Sequence, residues 1–99
     1  MLRFSRIWRR RRFRRWRNEA AEIAKRNCRW EVADRIATSQ NQEDILLIKQ
    51  CYHLAPAVEW AIRVAVCTLR GETREARNAL EWARLTDGKP APTTDPMYW

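Results

Sequence analysis

No proline stands before Pro56, and the chain holds only two glycines, Gly71 and Gly88. Proline and glycine are the residues that interrupt helix through backbone geometry, so nothing in residues 1–55 forbids it. Nor does any stretch alternate apolar and polar residues between turn signals, as a half-buried strand must. The reading is an all-α chain, a small stack of antiparallel helical hairpins of about four to five helices with a basic N-terminal helical arm.

Helical periodicity places the elements. In the first segment, about Phe4 to Asn27, a stripe of Phe13, Trp16, Ala20, Ile23 and Ala24 recurs on one face at about 100° per residue. Phe4, Ile7 and Trp8 group on a different face, so one straight helix cannot bury both sets against one surface. Either the arm bends at the arginine run or its first turns dock elsewhere. A second helix, Trp30 to Thr38, turns Val32, Ala33, Ile36 and Ala37 inward, and Ser39-Gln40-Asn41 reads as a turn. Asn41 or a neighbour caps a third helix, with Glu43 and Asp44 in its first turn. Its wide apolar face, Ile45 to Ile48, Cys51 and Leu54, predicts burial on two sides. Pro56 opens a fourth helix, to about Arg70, that is apolar almost all round and therefore central; Glu59 and Arg63 form its thin polar strip. Gly71 ends it. A fifth, about Glu72 to Leu85, carries Ala76, Ala79, Leu80 and Ala83, small enough for close helix contact. Gly88 stops it before the proline-rich residues 89–96, an extended tail tipped by Met97-Tyr98-Trp99.

Charge is divided unevenly among these elements. Residues 1–17 contain Arg3, Arg6, Arg9, Arg10, Arg11, Arg12, Arg14, Arg15 and Arg17 and no acid, whereas residues 18–99 hold 11 basic and 12 acidic groups. A +9 arm (1–17) thus precedes a helical domain (18–86) and a tail (87–99) that together carry −1. Such asymmetry points to a polyanionic partner. Of the 20 basic residues 17 are arginine, whose planar fork grips phosphate bidentately. Phe4, Trp8, Phe13 and Trp16 add flat faces on which bases can stack.

Other classes fit less well. A membrane-surface helix needs a single apolar stripe beneath its charges, and the split aromatics argue against one. The most apolar stretch, Ala55 to Leu69, is broken by Glu59 and Arg63 and falls short of the roughly 20 apolar residues of a spanning helix. The basic cluster is followed by Asn18, Glu19 and Glu22, not by the apolar run of a secretory signal. Met1-Leu2-Arg3-Phe4-Ser5-Arg6-Ile7-Trp8 does resemble a mitochondrial targeting segment, although four consecutive arginines exceed what targeting requires. Cys28, Cys51 and Cys67 are an odd number without a C-x-x-C pair, which favours a reducing, cytoplasmic setting. Cys51 and His53 sit at i,i+2, on different sides of a helix, and find no paired motif to complete a metal site. With one histidine, no Gly-rich phosphate loop and no paired ligands, the expectation is no enzyme activity and no cofactor.

Residues 57–90 resemble a tetratricopeptide hairpin. The pattern is an early aromatic (Trp60), a turn Gly and acid (Gly71-Glu72), then Ala76, Leu80, Ala83, Asp87 and Pro90. It departs from the family at Val64, where a small residue is usual, and at Gly88, where proline is. The resemblance implies a protein-binding scaffold without catalysis. Trp30 and Trp60 read as core or hairpin-packing residues. Trp82 lies off the buried face and, with Tyr98 and Trp99, is a candidate protein contact.

Together these features predict a non-enzymatic protein whose arginine arm and Trp8 hold nucleic-acid phosphates, RNA favoured. The body then meets a protein partner, as in a ribonucleoprotein component or accessory factor. The rival is an adaptor or inhibitor of phage, mobile-element or secretion-chaperone type, its arm docked on an acidic protein surface.

Overall fold

The computed structural model describes residues 2–28, 30–51 and 54–90, with side chains from Trp8 onward except Cys51. It is all-helical among these residues: α1 (Leu2–Asn27), α2 (Trp30–Thr38), α3 (Gln42–Cys51), α4 (Pro56–Arg70) and α5 (Thr73–Thr86). Helix α4 touches all four others and is the central element. Its Ala57, Val58, Ala61, Ile62, Val64 and Ala65 are essentially inaccessible.

Local chemistry explains the boundaries. The Asn41 side-chain oxygen accepts from the Glu43 amide at 2.9 Å, which caps α3. Proline opens α4, where its missing N–H costs nothing. Gly71 ends α4 at φ +75°, a left-handed conformation that suits glycine, and the Gly71 and Glu72 amides satisfy the last-turn carbonyls of Thr68 and Cys67. Helix α5 then folds back along α4. Ala76, Ala79 and Ala83 are almost wholly buried with Leu80, so the alanine stripe sits at the close α4/α5 contact. The helical-hairpin part of the tetratricopeptide resemblance is thus present in the geometry.

Helix α1 runs unbroken through the arginine run, so of the two alternatives the structure does not show a break there. Its second half joins the core through Ala20, Ala21, Ile23 and Ala24, while Phe13 and Trp16 are half-buried. Two expectations need correction. Trp30 is 67% exposed, because α2 uses the opposite face, Val32, Ala33 and Ile36, against α1. Among the described residues α3 is buried on one side only: Ile45 and Ile48 point inward, but Leu47 is 48% exposed because no described element covers the outer face.

The seam between α1 and α5 is held by charge. Arg84 donates from Nε and Nη2 to the Glu19 carboxylate. Arg26 donates from Nη2 to Asp87 Oδ2 at 2.6 Å, and Asn27 Nδ2 donates to Oδ1 of the same carboxylate at 2.9 Å. The pairings ascend together along both segments, so α1 and α5 run in the same direction.

Candidate nucleic-acid interface

Helical spacing of about 100° per residue distributes Arg9, Arg10, Arg11, Arg12, Arg14 and Arg15 around the full circumference of α1. All six are exposed, and Trp8 beside them is 64% exposed. Over residues 9–15, whose side chains are described, an exposed arginine thus lies on every side of the helix. Phe13 and Trp16 mark where it enters the body, their ring centroids 5.9 Å apart. The Arg12 guanidinium lies 5.9 Å from the centroid of Trp16, within cation–π range.

Among the described residues, three hollows adjoin this stem. One, along the helix itself, is lined by Trp8, Arg11, Arg12, Arg14, Arg15 and Asn18. A second places Arg10 and Arg14 opposite Gln40 and Thr68, at the ends of α2 and α4. The third brings Arg12 and Trp16 against Thr73, Arg74, Arg77 and Asn78 of α5. Arg74 and Arg77 were not singled out in the sequence, since they lie in a mixed-charge stretch and only the parallel seam brings them beside the arm.

Arg17 does not belong to the exposed set. It is 5% exposed, and its Nε donates to the Ile36 carbonyl at 2.9 Å while Nη2 donates to that of Ser39. These carbonyls lie in the last turn of α2 and just beyond it, where intrahelical donors run out. Burial lowers the Arg17 pKa, yet the group remains cationic and completes the end of α2. Its expected phosphate-gripping role is therefore corrected to a structural one. The side chains of Arg3 and Arg6 and all of Tyr98 and Trp99 lie outside the described residues, as does the tip of the extended tail.

Away from the stem, Trp82 is 50% exposed and stacks on Trp60 at 5.5 Å with 17° between planes. Arg63 sits 5.0 Å from the centroid of Trp60, and Leu85 is 66% exposed. Burial pushes the Cys28 and Cys67 thiols up, away from the thiolate form a nucleophile needs. Among the described residues no His, Cys, Asp and Glu cluster could hold a metal ion, and Cys51 and His53 fall outside what the structure describes at side-chain level. No described helix is long and apolar enough to cross a membrane.

No family model, curated protein or solved structure matches the chain, so the tetratricopeptide resemblance rests on its hairpin pattern alone.

Proposed function

We propose that this is a non-enzymatic nucleic-acid-binding protein, RNA favoured, whose α1 stem holds phosphates while its helical body meets a protein partner. The observation that carries this reading is the circumferential exposure of Arg9, Arg10, Arg11, Arg12, Arg14 and Arg15 on one helix. A helix lying on a membrane shows cations on one side and apolar groups on the other. One that is cationic all round fits between two walls of phosphate, or within a folded strand that surrounds it. Trp8 supplies an accessible face for stacking.

The Trp82 and Leu85 surface supports the second contact, since exposed aromatics anchor protein interfaces. The free thiol of Cys67 accords with a reducing intracellular compartment. A ribonucleoprotein component would use both ends of the molecule.

Salt titration of binding to a short RNA tests the reading. With about six phosphates of a single strand neutralised, log K against log salt has a slope near −4, roughly a three-hundredfold loss between 50 and 200 mM. Replacing Arg9, Arg10, Arg11 and Arg12 together by Ser removes most of the affinity and leaves the circular-dichroism signature of the body. Undiminished RNA and DNA binding by that variant overturns the role of the stem. If nuclease treatment leaves binding to an acidic protein partner unchanged and purified RNA does not bind, the adaptor reading replaces it.

A further inference from the structure

The α1/α5 seam changes character along its length. Towards its C-terminal end opposite charges pair across the gap, Glu19 with Arg84 and Arg26 with Asp87. Towards its N-terminal end the complementarity stops. There Arg12, Arg74 and Arg77 line one cleft of about 590 Å³, together with Trp16, Thr73 and Asn78. Glu81 is the only carboxylate among the lining residues, at the end next to the Glu19–Arg84 pair. Neither Arg74 nor Arg77 makes an ion pair or hydrogen bond with a described residue. The nearby Glu72 carboxylate is instead directed to Arg70, at 3.8 Å.

Three guanidinium groups around one hollow repel one another, and an anion between them turns that repulsion into attraction. The surroundings favour the same ligand. Glu72 provides no side-chain cap for α5, a helix of 14 residues, and Thr73 and Arg74 of its first turn open into the cleft. The positive end of the helix dipole thus adds to the three side chains. Asn78 contributes an amide donor. Trp16 offers an aromatic surface beside the cations, where a base or sugar attached to the phosphate can rest.

We infer that the α1/α5 cleft is a phosphate-binding site that takes a backbone phosphate of the nucleic acid held by the stem. This rests on the proposed function and extends it, since Arg12 belongs to both surfaces. A strand gripped by the stem then passes onto the body at Trp16 and is held there by Arg74 and Arg77. The body is a participant in recognition and not only a support for the arm.

The test uses the full chain and the double variant Arg74→Gln/Arg77→Gln, with two probes, a 12-nucleotide single-stranded RNA and inorganic pyrophosphate. Both positions are exposed, so the variant should keep the circular-dichroism spectrum and melting temperature of the parent. Removing the one phosphate contact of the cleft reduces the magnitude of the RNA salt slope by about 0.7, the single-strand value per phosphate. In the parent, millimolar pyrophosphate should shift the Arg77 Nε–H and Trp16 indole resonances, and in the variant the Trp16 shift should be lost. An unchanged RNA slope overturns the backbone assignment, even if pyrophosphate binds, because the site would then serve a free phosphate compound. If the parent binds no RNA, the reading of the stem fails separately, and pyrophosphate decides the cleft: no Arg77 or Trp16 shift overturns it.

Discussion

The Nε of Arg17 donates to the backbone carbonyl of Ile36 at 2.9 Å, across 19 residues of sequence and from inside the core. An arginine in a run of exposed arginines is thereby the bolt between α1 and the end of α2. Replacing it with Met keeps much of the apolar stem but leaves two carbonyls without their charged donor. We expect a loss of about 1–3 kcal/mol in urea unfolding. The salt slope for RNA should be unchanged, in contrast to any variant of Arg9 to Arg12. A fall in slope without a fall in stability would return Arg17 to the binding surface.

Helix α4 predicts the sharpest loss of stability. Ile62 is 1% exposed at the centre of the molecule, so Ile62→Ala should cost about 2–5 kcal/mol, a large part of the roughly 5–15 available to a domain. Val66→Asp should abolish cooperative thermal melting, since it buries an unpaired carboxylate. A folded Val66→Asp protein of unchanged melting temperature would show that α4 is not the centre of the core.

Asp87 gives a dependence on acid. Hydrogen bonds from Arg26 and then Asn27 hold its carboxyl below the usual aspartate value. A depressed pKa means that its contribution is complete above the unfolded-state value, about 3.9, and is lost as pH falls through the lower folded-state value. The destabilisation caused by Asp87→Asn should therefore be constant from neutral pH to about pH 5 and shrink below about pH 4. Glu19, lowered by the hydrogen bond from Arg84, acts in the same direction. Both pairs face solvent, so 1 M salt should reduce the difference. A difference that grows on acidification would contradict this account, as read by denaturant titrations at each pH.

The stacked pair Trp60 and Trp82 makes a prediction for the body. Trp82→Ala should cost about 0.5–1.5 kcal/mol beyond the area lost, because the ring is half-exposed but rests on a neighbour. It should leave RNA affinity intact and weaken capture of the protein partner. Thermal melting and binding assays on the same sample separate the two effects.

Much of the architecture was legible because it depends on local spacing. The absence of proline before Pro56, the Asn41 cap and the Gly71 stop each act within a turn or two, and α2 and α4 run between the residues their patterns indicate. Helix α5 begins and ends one residue later than its pattern suggests, at Thr73 and Thr86. What was not legible depends on where distant segments meet. Nothing local separates Arg17 from Arg15; only the arrival of the α2 carbonyls beside it does. Trp30 looks like a core residue by type, yet its own helix already has a sufficient apolar face in Val32, Ala33 and Ile36. Arg74 and Arg77 gain significance only because α5 lies alongside α1 in the same direction.

The continuity of α1 from Leu2 to Asn27 bears on the thermodynamics of recognition. A short, highly charged segment is a marginal helix by itself, and like charges four apart, such as Arg10 with Arg14 and Arg11 with Arg15, weaken it further. Here the costly nucleus is formed in the buried half, and the outer turns extend a helix that already exists. The guanidinium groups are thus arrayed before any ligand arrives, and association is spared much of the ordering entropy that a disordered basic tail loses on binding. Binding should accordingly proceed with a small heat-capacity change and little gain in helicity, as rigid docking does and coupled folding does not.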